Sequence, residues 1–130
     1  MAEHPNSALY RQYADRISAG DVNAVTPMLA DQVIWREPSG EHAIHGMEML
    51  AEQMRWVTSN LNPEINVHDV LANDEHTVAL VEWRMQGGGR AFTSRMVEIW
   101  HVRDGRVTER WLFVEDIEGF LGFFSSLAVD

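Results

Sequence analysis

From Ser7 to Ala19 apolar residues recur at helical spacing, with Tyr10, Tyr13, Ala14 and Ile17 forming one stripe. This predicts an amphipathic helix. Gly20 is a helix-stopping glycine, and Asp21 is an N-cap for a short second helix whose buried side is Val22, Val25 and Leu29. β-branched and aromatic residues then take over. Val33, Ile34 and Trp35 predict a strand over Gln32 to Glu37, stopped by Pro38, which has no ladder donor. A loop to Gly46 precedes a third helix, Met47 to Val57, with Met47, Leu50, Ala51, Met54 and Val57 on one face. Asn60 to Pro63 breaks it.

Beyond that point the apolar period changes from about 3.6 to 2. Strands are expected at Ile65 to Leu71, Thr77 to Gln86, Arg90 to Arg103 and Val107 to Val114. Asn73-Asp74, Gly87-Gly88-Gly89 and Asp104-Gly105 are the turns between them. The glycine run joins two strands, whereas a phosphate-binding loop precedes a helix N-terminus, so it is a hairpin turn. On the second of these strands Ala79, Val81, Trp83 and Met85 share one face, with Glu82 and Arg84 on the other. The tail, Asp116 to Leu127, has Phe120, Leu121, Phe124 and Leu127 at helical spacing, weakened by Gly119 and Gly122. The class is therefore α+β, with helices laid on one face of a curved antiparallel sheet. The last two strands are apolar on both faces, with Phe92, Met96 and Trp100 against Val97 and Ile99. The second face needs its own cover, and a homodimer through the sheet is expected.

Composition narrows the function classes. At 130 residues and 45% hydrophobic, residues 1–130 suit one folded domain with a real core. Ten basic against twenty acidic residues give a net charge of −10, which argues against nucleic acid and anionic membranes as partners. No apolar run approaches the roughly 20 residues of a membrane span. The first residues lack a signal-peptide pattern, so a cytoplasmic location is expected. The absence of cysteine removes disulfides, thiolate catalysis and Cys-zinc sites.

The stretch richest in chemistry is Asp31 to Gly46. Glu37 lies two residues from Trp35, on the same strand face, and is held extended by Pro38. An acid fixed beside an indole at the mouth of a core suits a proton-transfer group. Glu98 shares a face with Phe92, Met96 and Trp100. Burial there would disfavour its charged form and leave it a hydrogen-bond donor. Arg110 is ambiguous: it either faces the interior and meets an acid, or faces outward. His42 and His45 have a metal-like spacing but no third ligand, so neither a metal nor a cofactor is expected. Glu82 and Arg84 are expected to form an outer-face ion pair. The pair resembles the Arg-x-Asp position of limonene epoxide hydrolases, but in reversed order.

Over most of its length the chain resembles the superfamily of ketosteroid isomerases, polyketide cyclases and nuclear transport factor two. The motifs are most similar to those of bacterial ketosteroid isomerases. Tyr13 stands eight residues before Asp21 of a Gly-Asp pair; Glu37-Pro38 is followed by Ile44-His45-Gly46; and Glu98 stands seven before Gly105-Arg106. The resemblance implies a cone-shaped, cystatin-like α+β barrel around a pocket for a small hydrophobic molecule. It implies Glu37 as general base, with Tyr13 and a neutral Glu98 donating to an enolate oxygen. The expected pocket walls are Trp35, Met54, Val81, Trp83, Met96 and Trp100. This chain departs from the isomerases in using Glu where they use Asp. Leu29 and Met54 stand where their supporting pocket tyrosines fall. The function implied is proton abstraction next to a carbonyl, with a non-catalytic ligand-binding or dimerisation module and an epoxide hydrolase as alternatives.

Overall fold

The computed structural model describes residues 3–38 and 42–127. Helix α1, Pro5–Ser18, starts two residues before the expected Ser7, because Pro5 suits the first helical turn and His4 Nδ1 accepts from Asn6 N–H. Asp21 caps α2, Val22–Val25, by accepting from Ala24 N–H, and a single tight turn, Thr26–Met28, leads into strand β1, Leu29–Arg36. Strand β2, Ala43–His45, occupies what the sequence pattern leaves as loop. Helix α3 spans Met47–Asn60.

Four antiparallel strands follow: β3 (Glu64–Ala72), β4 (His76–Gly87), β5 (Arg90–Arg103) and β6 (Arg106–Val114). Helix α4, Ile117–Leu127, closes the described chain. The two-residue turns at Gly88-Gly89 and Asp104-Gly105 have positive φ at both positions, the hand that matches strand twist. No helix among the described residues is long and apolar enough to cross a membrane.

The strands form one curved sheet in the order β2-β1-β6-β5-β4-β3. It is mixed, not wholly antiparallel, because β1 runs parallel to β6. The inner face of β5 is set by strict alternation: Phe92, Ser94, Met96, Glu98, Trp100 and Val102 are all buried. Trp100 packs between Tyr10, Tyr13 and Trp35, with ring centroids 4.8, 5.1 and 6.4 Å away. On the outer face Val97, Ile99 and Trp111 are half-buried and Phe113 is exposed. Glu82 and Arg84 lie on that face as expected, but among the described residues they form no ion pair with each other. Glu82 stands opposite Arg95, Arg84 opposite Thr93, and Arg95 pairs instead with Glu115.

Candidate functional site

An irregularity in one hairpin decides which charged side chains face the interior. β5 and β6 begin in register at Arg103↔Arg106 and Val102↔Val107, then shift, so that His101 faces Glu109 and Trp100 faces Arg110. Without the bulge Glu109 would stand opposite Trp100 and point inward. With it, Arg110 is buried, and Glu109 turns outward to pair with Arg36 at 2.6 Å.

The sheet's inner face and helices α1, α3 and α4 enclose a cavity of about 430 Å³. Its polar lining is Tyr13 from α1, Glu37 just past β1, Glu98 from β5 and Arg110 from β6. Gln53 and Thr58 of α3 add two smaller polar groups. The remaining wall is apolar, with Leu50 and Met54 from α3, Met85 from β4, and Phe120 and Phe124 from α4. Tyr13, Glu37 and Glu98, distant in sequence, therefore share one cavity. Of the expected walls, Trp35, Met54, Trp83 and Met96 line it. Val81 and Trp100 do not. Val81 is too short to reach beyond the longer Trp83 and Met96 beside it, and Trp100, 1% exposed, is sealed behind the two tyrosines.

Glu98 is only 1% exposed. Tyr10 Oη donates to its Oε2, and Trp83 Nε1 donates to the same oxygen at 3.3 Å. Arg110 Nε lies 4.0 Å from Oε1. The guanidinium also sits over Trp35, 4.4 Å from the ring centroid, a cation–π arrangement. Its Nε and Nη1 have no hydrogen-bond partner among the described residues. These surroundings differ from those expected for Glu98. In place of a purely apolar strand face, two donors and a cation converge on it.

The two tyrosines are neutral donors. Burial, and then the negative charge of Glu98, pushes Tyr10 well above the ordinary phenol range. Tyr13 is raised by burial first and by Glu98 next; Arg110 opposes the shift and Glu37 adds to it. The Tyr13 hydroxyl makes no hydrogen bond to another described residue, so its proton is free for a ligand. Sequence reasoning missed Tyr10, although it stands three residues before Tyr13 on the same helical stripe. The sequence leaves Arg110 open because its orientation depends on the bulge. His42 and His45 belong to no group of three or more metal-capable side chains among the described residues.

Comparison with known proteins places this chain in a family. The model of the SnoaL-like domain matches residues 10–110. A comparison with curated protein sequences finds no match. Among solved structures, an LEH-like epoxide hydrolase of M. tuberculosis superposes with a TM-score of 0.80 at 18% identity, covering 95% of this chain and 92% of its own. An NTF2-like protein of unknown function from Burkholderia pseudomallei gives 0.78 at 21% identity, covering 89% and 95%. A Catenulispora acidiphila protein with a ketosteroid isomerase-like fold, in complex with trimethylamine, gives 0.72 at 13%, covering 81% and 83%. At these identities the likeness is one of fold.

Proposed function

The chain belongs to the SnoaL-like domain family, and on that premise we propose a cofactor-independent enzyme of isomerase or cyclase type, acting on a small hydrophobic carbonyl compound. One observation carries the reading. An acid, Glu37, and two hydrogen-bond donors, Tyr13 and Arg110, line the same apolar cavity.

The proposed step begins with the substrate carbonyl oxygen directed at Tyr13 Oη–H and the Arg110 N–H groups. Glu37 removes the proton from the adjacent carbon. The C–H bond breaks, its electron pair moves toward oxygen, and an enolate forms as Glu37 becomes a neutral acid. The negative charge thus passes from Glu37 to the oxygen, where donors held by the fold receive it without reorganising. Return of the proton to a different carbon gives isomerisation, and attack of the enolate on a second carbonyl gives cyclisation. The resemblance implied Glu98 as one of the donors. Its surroundings favour another role, that of the internal anion that holds Arg110 in place, with Arg110 as the donor beside Tyr13.

A second reading, hydrolysis of an epoxide, is favoured by two carboxyl groups and a guanidinium facing one cavity, a set able to activate water and assist ring opening. A second copy of the chain covering the apolar outer face also belongs to this proposal, and sedimentation as a monomer at micromolar concentration would remove it.

The reaction class is testable before the substrate is known. Benzylacetone, a small aromatic ketone, should exchange its α-hydrogens for deuterium in heavy water in the presence of the protein. Glu37→Gln keeps the shape and should slow that exchange by about 10²–10⁴-fold while leaving stability within about 0.5 kcal/mol. Exchange that survives the substitution would show that Glu37 is not the base. Added epoxide that is hydrolysed while the ketone remains untouched would favour the second reading.

A further inference from the structure

We infer that Glu98 sets which ligands the cavity accepts, admitting uncharged oxygen acceptors such as ketones, esters and epoxides and rejecting carboxylates of the same size. The inference rests on the role given to Arg110 above and adds the charge of what Arg110 receives.

By itself Arg110 would be a carboxylate receptor. It is 5% exposed and lines the cavity, and its buried Nε and Nη1 lack partners among the described residues. A planar guanidinium with free donors in a dry site selects planar anions. Glu98 changes that preference. Its Oε1 is 4.0 Å from Arg110 Nε, beyond hydrogen-bond range but close enough for strong Coulomb compensation in a buried site. Arg110 therefore keeps its free N–H groups while its net positive charge is largely cancelled. Glu98 cannot turn aside to make room, because Tyr10 and Trp83 both donate to its other oxygen.

Glu37 brings a second carboxyl group to the cavity wall, whereas Tyr13, raised by burial, keeps its proton. Two carboxylates against one guanidinium leave the cavity with a net negative charge before any ligand enters. A ligand carboxylate would add a third anion to an apolar space, and its repulsion from the first two outweighs one more contact to Arg110. A ketone or epoxide oxygen offers Arg110 and Tyr13 the same lone pairs without that charge. The proposed chemistry is also compatible with a neutral substrate, since proton transfer to Glu37 moves charge across the cavity without adding any.

Benzylacetone and hydrocinnamate test this directly, as they share one skeleton and differ in a methyl group replaced by an anionic oxygen. Their binding can be followed at neutral pH through the fluorescence of Trp35 and Trp83, both on the cavity wall. Wild-type protein should bind the ketone on the order of tenfold more tightly or better. Glu98→Gln retains an oxygen for Tyr10 and Trp83 but removes the compensating charge. Hydrocinnamate should then gain on the order of tenfold and overtake the ketone. Wild-type protein that binds hydrocinnamate as well as benzylacetone overturns the inference, as does a folded Glu98→Gln protein with unchanged preference. If that variant does not fold, the wild-type ratio decides alone. Failure to bind either compound overturns both this inference and the carbonyl reading. Selective ketone binding without hydrogen exchange would leave the selectivity standing and remove only Glu37 as base, whereas exchange with unselective binding would do the reverse.

Discussion

Two Arg–Glu pairs join the same two neighbouring segments of the sheet from opposite faces. Inside, Glu98 of β5 and Arg110 of β6 approach to 4.0 Å, with side chains 1% and 6% exposed. Outside, Arg95 of β5 and Glu115, just beyond β6, approach to 2.7 Å, with side chains 74% and 59% exposed. The shorter pair is the weaker one. Water screens it, and holding two long side chains together costs rotamer entropy that offsets most of the attraction. The longer pair sits where desolvation has already made both charges costly, so each depends on the other. Burial, not distance, ranks these contacts. The inner pair also retains unused donors: both hydrogen bonds to the carboxylate go to one oxygen, and two guanidinium nitrogens are without partners among the described residues.

Removing one inner partner should have the largest effect. Arg110→Met leaves Glu98 buried without its cation and should cost about 3–5 kcal/mol of stability, read from the midpoint of a urea unfolding curve. Replacing both members, Glu98→Leu with Arg110→Met, should recover most of that loss, because an apolar pair needs no compensation. A single substitution costing less than about 1 kcal/mol would mean that water reaches Glu98, and the contrast between the two faces would collapse.

The inner pair was half legible in the sequence, and the reason is local. Strand β5 was readable to its ends, Arg90–Arg103, because fourteen residues of alternation lie between two glycine-containing turns. That placed Glu98 on the inner face with Met96 and Trp100. Arg110 could not be placed in the same way, since the shift after Val102↔Val107 reverses the parity of everything beyond it. Strand β2 escaped notice because three residues carry too little alternation to show a period. The parallel pairing of β1 with β6 joins segments more than seventy residues apart, and no local pattern announces it. Glu37 was found through its neighbours, Trp35 two residues before it and Pro38 after it. Val81 was misplaced on the cavity wall because strand parity gives a side chain's direction but not its reach.

The tyrosines sharpen the comparison with a pH readout. The chain has two, Tyr10 and Tyr13, and both are raised by burial and then by Glu98, the inner anion. Below about pH 10 the folded and unfolded chains both hold these protons, so the two phenols add no slope to stability. Above it the unfolded chain releases them and the folded chain does not. Stability should therefore fall by up to about 1.4 kcal/mol per pH unit for each tyrosine. Tyrosinate absorbance should stay silent past about pH 10 and rise only as the protein unfolds. An ordinary titration centred near 10 in the folded protein would place at least one hydroxyl in water.

The outer pair should give the smallest effect, and it serves as the control for the others. Arg95→Ala removes a guanidinium that stands closer to Glu115 than Arg110 does to Glu98, yet the expected loss is below about 1 kcal/mol. Glu115 remains solvated when Arg95 is gone, so no charge is stranded. The strand itself keeps its bond from Glu115 N–H to the Arg95 carbonyl at 3.0 Å, which the substitution leaves intact. Ketone binding should not change, because Arg95 lies on the opposite side of the sheet from the cavity lined by Met96 and Glu98. Raising the salt concentration should shrink even this small loss toward zero while leaving the cost of Arg110→Met nearly constant, since screening acts on exposed charges and barely on buried ones. Equal salt sensitivity of the two substitutions would place both pairs in the same dielectric environment, contrary to their burial.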